Sequence, residues 1–261
     1  MTPVAEIAFH VLLAGVLSAV AGLILQLIGR AVSSRFGAED TKDLAAIAGI
    51  RIAAVFGIAV ALVFSTAHTY YNETRRDLIE EVRLIGTLFF IAKNAPQVQG
   101  AQDLAPKLVQ YTRALAKEVD QPQTADESAP ATSRLLLDIC LVSVSRPGET
   151  ASAAWLRTQI QAACSKLVDL RGKIRIRMLI SNTEIPFWIF FGLAFVFLAV
   201  LFGVFERRPI NFMVSTLFFF VAGVTALLIY WMSDPFHGPS RIASTPFAQL
   251  IARMEAPDGR P

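Results

Sequence analysis

IAGIRIAAVFGIAVALVFSTAH, residues 47–68, runs without a break into TYYNETRRDLIEEVRLIGTLFFIAKN, residues 69–94. The first stretch is apolar over the ~20 residues needed to cross ~30 Å of hydrocarbon. Its one charge, Arg51, stands near its edge. In the second stretch charges enter, yet Leu78, Val82, Ile85, Phe89 and Ala92 recur at steps of 4, 3, 4 and 3. That is helical periodicity with one buried face. A single helix is therefore expected to leave a membrane and enter an aqueous domain, ending before Pro96 and Gly100. From 47 to 94 it would be ~70 Å long.

Three further apolar runs, roughly 7–28, 187–205 and 210–232, carry no acidic or basic residue in their interiors. The expected fold is an all-α membrane protein with four transmembrane helices as two hairpins. A helical extramembrane domain lies between spans two and three. The segments are 1–68 for the first hairpin, 69–185 for the domain, 186–233 for the second hairpin, and 234–261 for a C-terminal turn and short amphipathic helix. The first run reads as a retained helix rather than a cleaved signal. Met1–Phe9 holds no Lys or Arg, contains Glu6, and leads into an apolar stretch longer than a signal core.

Hydrophobic residues make up 54% of the 261 residues, and the surplus over a soluble domain belongs to the spans. Net charge is only +3, and residues 69–185 hold 15 basic against 13 acidic residues. A nucleic-acid binder would concentrate a basic stripe, so none is expected as a partner. The chain also lacks HExxH, CxxC, a Walker loop and GxSxG, and His10, His68 and His237 stand far apart in sequence. No enzymatic role, metal or cofactor is expected. Ion-coupled transport usually needs a charge at mid-bilayer, and these spans have none there. Conduction through an apolar neck is compatible with that pattern.

Small residues recur four apart at Ala14, Ser18 and Gly22, and again at Gly49, Ala53, Gly57, Ala61 and Ser65. Such stripes let helix backbones approach closely in lipid. The two spans are expected to pack on each other or on a neighbouring subunit; a pore-lining role for the second stripe is the weaker alternative. Leu104, Leu108, Tyr111, Leu115 and Val119 mark a helix with Asp103 as cap, Asp120–Thr132 reads as a loop, and Leu135–Val144 as a short helix. From Ser152 a long helix is expected to run to a kink at Pro186. Its segment Lys173–Arg177 alternates like a strand, but the flanking periodicity favours helix. Cys140 and Cys164 flank a turn at Arg146-Pro147-Gly148. Their unequal distances from it predict a ~10 Å offset, too far for a bridge.

Beside the membrane, Glu73, Asp77 and Glu80 share one helical face, and Lys173 and Arg177 share a face of the returning helix. A salt-bridge seam fixing helix register is the favoured reading, and an anion-attracting vestibule the sharper one. Near the C-terminus, Ser233–Gly238 reads as a turn, and Ser244 or Thr245 as the cap of a helix with Pro246 in its first turn.

Several motifs together resemble one family. They are Tyr71-Asn72-Glu73 with Glu81, then Arg177, Ile185-Pro186 and Phe202-Gly203-Val204. The most specific is Asp234-Pro235-Phe236 with Gly238, Arg241, Ile242, Pro246 and Phe247. The chain is similar to the bestrophin-like family of four-span bacterial membrane proteins. The resemblance implies a homo-oligomer in the bacterial inner membrane and raises an anion channel as its function, since bestrophins are pentameric anion channels with a hydrophobic neck on the second span. Phe56, Val60 and Phe64, at i, i+4 and i+8, match such a neck in placement, though core or lipid-facing aromatics explain the same spacing. Asp126-Glu127 is only a pair, so no calcium clasp like that of animal bestrophins is expected. The competing reading is a non-conducting scaffold or sensor whose helical domain binds a partner. Both termini and the middle domain are expected on one side of the membrane. The basic loops at 29–46 and 206–209 place that side outside the cytoplasm, whereas the basic flank Lys166–Arg177 and the bestrophin analogy argue the reverse.

Overall fold

The computed structural model describes residues 3–34, 38–94, 101–121, 125–141, 150–179, 185–204, 209–239 and 241–256. Their order is α1 (Pro3–Ser33), α2 (Ala38–Asn94), α3 (Ala101–Asp120), α4 (Ala125–Cys140), α5 (Ala151–Leu179), α6 (Ile185–Val204), α7 (Pro209–Ser233) and α8 (Thr245–Glu255). No strand occurs among the described residues, and the alternating Lys173–Arg177 lies inside α5. α1, α2, α6 and α7 are each long and apolar enough to cross a membrane. α2 is continuous from its apolar half through the amphipathic half, because no proline or glycine pair interrupts residues 47–94.

The chain divides into two compact units. The first holds residues 1–71, 181–233 and 238–240. In it α1 packs on both α6 and α7. Small residues make this approach possible. A methyl group added at Gly203 would overlap the Gln26 carbonyl, and one at Gly29 the Val200 carbonyl. Added at Gly223 it would meet Ser18 and the Ala14 carbonyl, and at Gly22 the ring of Phe219. The small stripe of α1 thus serves contacts with α7, where the expected partners were α2 or a second subunit. Phe56 brings α2 into the same unit, in a core with Phe191, Ala194, Leu198 and Ala222. Gly57 behaves differently: a Cβ there would meet nothing within 4 Å.

The second unit holds residues 72–180, 234–237 and 241–261. Its core collects the apolar stripes of α2, α3, α5 and α8, with Ile85, Leu88, Leu104, Leu108, Ile160, Leu167, Ile174 and Phe247 at most 1% exposed. Two expectations are corrected here. Residues 125–132 are the first turns of α4 rather than part of a loop. Asp126, Glu127 and Pro130 all fall within the first two turns of that helix. The expected turn at 146–148, the end of the fourth helix at Val144 and the kink at the α5–α6 junction lie outside the described residues. The second correction concerns the ~10 Å offset expected between the cysteines, both of which are free thiols, as expected. The Cys164 thiol hydrogen-bonds the Cys140 sulfur, which holds Cys140 below the usual thiol range and pushes Cys164 well above it. Offsets counted from an assumed turn missed this, because the thiols meet where α4 packs on α5.

Candidate functional site: the second span and the charged face of the helical domain

On α2, Phe56, Val60 and Phe64 all line one apolar cavity of about 510 Å³, together with Gly57, Ala61, Phe191 and Phe218. Their burial differs along the helix. Phe56 is only 4% exposed, with its ring 5.2 Å from that of Phe191 and 6.4 Å from that of Phe218. Val60 and Phe64 are half-buried, and Phe64 stacks parallel to His68 at 6.2 Å. Beside them Gly57, Ala61 and Ser65 are exposed within the subunit. Thr225 of α7 supplies the one polar side chain among the lining residues. Such a cavity offers little to a hydrated ion except a low-dielectric wall.

The charged face lies in the second unit. Arg177 Nη1 donates to the Asp77 carboxylate at 2.8 Å and to the Thr74 hydroxyl at 3.3 Å. Its Nη2 donates to Glu73 at 3.3 Å. Glu80 pairs with Lys166 at 2.6 Å, and that hydrogen bond lowers the Glu80 pKa. Lys173 instead reaches Asp169 of its own helix at 2.8 Å, which raises its pKa. α5 therefore meets the acidic face of α2 through Lys166 and Arg177, about three turns apart. Lys173 faces away because it follows Arg171, which is buried, by only two positions.

Beneath this seam lies a cluster that charge counting along single faces did not find. Arg171 forms its closest ion pair with Glu118 of α3 and stands 3.9 Å from Glu81 of α2. Tyr111 donates its hydroxyl to Glu81 at 3.4 Å. Glu81, Glu118 and Tyr111 are at most 1% exposed and Arg171 6%. Burial pushes the Glu81 carboxyl up to about 7, with Glu118 adding to the rise and Arg171 opposing it. Burial likewise raises Tyr111. For Arg171 desolvation acts downward, but Glu81 and Glu118 outweigh it and raise the guanidinium pKa. The sequence did carry a signal for these residues. Glu81 follows Leu78 by three, Glu118 follows Leu115 by three, and Arg171 precedes Ile174 by three, so each charge interrupts an apolar stripe.

The C-terminal motif explains itself by packing. Phe236 and Phe247 are 0% and 1% exposed. His237 Nδ1 lies 2.7 Å from the Asp234 carboxylate, and the Ile242 amide donates to the Pro235 carbonyl at 2.8 Å. Gly238 has φ of 85°, which L side chains rarely adopt. Arg241 donates to the Asp120 carbonyl and the Ser244 hydroxyl to the Asp120 carboxylate, at 3.1 and 2.8 Å. Ser244 occupies the N-cap position of α8 without a side-chain cap, because its hydroxyl is turned to α3. Arg113 and Glu255 form a further pair between the same two helices.

Comparisons with known proteins give the fold and the family. No curated protein matches the chain. A variant of a bacterial bestrophin homologue from Klebsiella pneumoniae superposes with a TM-score of 0.68 at 14% identity, over 92% of this chain and 98% of that one. Another structure of a Klebsiella pneumoniae bestrophin homologue gives 0.63 at 15% identity, over 95% and 96%. A structure described as a membrane protein gives 0.65 at 14%, over 94% and 97%. At such identities the likeness shows the fold. The model of the bestrophin-like domain matches residues 15–247, and the chain belongs to the bestrophin-like family.

Proposed function

We propose that the protein is an oligomeric membrane channel for anions or other small solutes, with the second span lining the route. One observation carries this reading. α2 crosses the first unit with its small face, Gly57, Ala61 and Ser65, exposed within the subunit, next to the half-buried Val60 and Phe64. Copies arranged around an axis would close such a face into an apolar, charge-free constriction. Val60 and Phe64 form the neck in this reading, and Phe56 holds α2 from behind against Phe191 and Phe218. The helical domain and both termini are assigned to the outer side of the bacterial inner membrane, on the weight of the basic segments 29–46 and 206–209.

The test is ion flux through purified protein in liposomes, with subunit stoichiometry measured on the same sample. A closed ring that passes chloride, and passes it faster once Phe64 is replaced by alanine, supports the channel. A flux no higher than in protein-free liposomes, for both the parent and Phe64→Ala, sinks it. It would favour a scaffold whose helical domain binds a partner.

A further inference from the structure

A second cavity of the first unit, of about 250 Å³, lies among α1, α6 and α7, and its walls are Gln26, Arg30, Phe202, Asn211, Phe212, Val214 and Ser215. Gln26 is 3% exposed, and its amide nitrogen has no hydrogen-bond partner among the described residues. The Nε of Arg30 is buried and equally unpartnered. Leaving a buried donor unsatisfied costs about 1–3 kcal/mol, more beside a charge. Two such donors, one of them cationic, aimed into one cavity form a receptor for an acceptor oxygen that carries negative charge. The Ser215 hydroxyl is already committed as a donor to the Phe212 carbonyl at 3.0 Å. Phe202, Phe212 and Val214 supply the apolar lining, and Asn211, exposed within the subunit, the remaining polar side chain.

The position of the cavity narrows the ligand. It is formed at the last turns of α1 and α6 and the first turns of α7, the ends of three membrane-crossing helices. Phosphate oxygens and glyceryl carbons occupy that depth in a bilayer, and both guanidinium groups and apolar walls suit them. The same place explains the Phe202-Gly203-Val204 motif. Gly203 lets α6 close on the Gln26 carbonyl, and Phe202 forms a wall of the cavity. We propose that this cavity binds a phosphate oxyanion, held by Gln26 and Arg30, with the headgroup of an anionic phospholipid as its source.

The experiment uses the full-length protein, purified and stripped of lipid. Binding of phosphatidylglycerol, of diacylglycerol with the same acyl chains, and of inorganic phosphate is measured by native mass spectrometry and thermal shift. The parent and Leu27→Ala, which alters an exposed position of α1, should retain phosphatidylglycerol alike. Gln26→Glu, nearly the same shape but repulsive to an anion, and Arg30→Gln should each weaken retention about tenfold or more. Diacylglycerol should not be retained. Inorganic phosphate that displaces the lipid identifies the phosphate group alone as what is read; phosphate without effect identifies the lipid. Equal retention by the parent and both cavity variants, retention of diacylglycerol as strong as that of phosphatidylglycerol, or a parent that binds neither the lipid nor phosphate would overturn the proposal.

Discussion

Arg177 and Asp77 are joined across two helices, Nη1 to carboxylate at 2.8 Å, with the arginine side chain 18% exposed and the aspartate 24%. A partly buried, charge-assisted hydrogen bond of this kind contributes about 1 kcal/mol, more than an exposed pair. Asp77→Lys should therefore lower the stability of the helical domain, and adding Arg177→Glu should restore part of the loss. Coupling in a double-mutant cycle between these two positions is the expected outcome. The same cycle run with Lys173 should show none, since Lys173 is paired with Asp169. Coupling at Lys173 equal to that at Arg177 would refute this assignment.

How much of this was legible beforehand depends on whether one helix or two decide the contact. The apolar runs and the amphipathic stripe at Leu78–Ala92 fix their own burial, so the four membrane helices and the core faces of α2, α3 and α5 could be read directly. Arg177 could be placed opposite the acids for the same reason. The choice of Lys166 over Lys173 could not, because helical phase across α5 is set by Arg171 turning inward to Glu118. Nor could the partner of the α1 stripe. Small residues announce a close approach, but only the overlap of Gly223 with Ser18 and of Gly203 with Gln26 shows that α7 and α6 are approached.

The buried cluster predicts a pH dependence. Burial, with Glu118 adding to it against the pull of Arg171, lets the folded domain hold a proton on Glu81 up to about pH 7, while an unfolded glutamate releases it near 4.5. The folded state binds the extra proton between those limits, so stability is highest below the unfolded pKa and falls as pH rises through about 7. The loss is on the order of 3 kcal/mol across that window. Thermal unfolding followed from pH 5 to pH 8 should show Tm dropping, with Glu81→Gln flattening the profile while Tyr111→Phe leaves most of it. A Glu81→Gln profile as steep as the parent's would remove Glu81 as the titrating group.

The proposed orientation rests on the basic segments 29–46 and 206–209. With Cys140 and Cys164 replaced by serine, a cysteine introduced at Ser128 should react with a membrane-impermeant reagent in intact cells. Arg30, Arg35, Lys42, Arg207 and Arg208 fall in sequence at the other ends of the spans, in the segments 29–46 and 206–209, which the positive-inside rule assigns to the cytoplasm. Protection of Ser128→Cys until the cells are permeabilised would place the helical domain in the cytoplasm instead.

The glycines of the membrane helices should separate folding from assembly. At Gly223 an added side chain would collide with Ser18, and at Gly203 with the Gln26 backbone, both inside the subunit. Overpacking of that kind costs about 1–3 kcal/mol even for small insertions, and backbone collisions relax least. Gly203→Leu and Gly223→Leu should therefore reduce the yield and thermal stability of the subunit itself. Gly57→Leu meets open space within 4 Å and should leave the subunit as heat-resistant as the parent. Its effect should appear only where copies meet or solutes pass, as a changed stoichiometry or a reduced flux. Size-exclusion chromatography with multi-angle light scattering, run beside liposome flux on the same preparations, reads both. A Gly57→Leu protein with parental stability, parental stoichiometry and parental flux would show that the small face of α2 takes part in neither contact nor conduction.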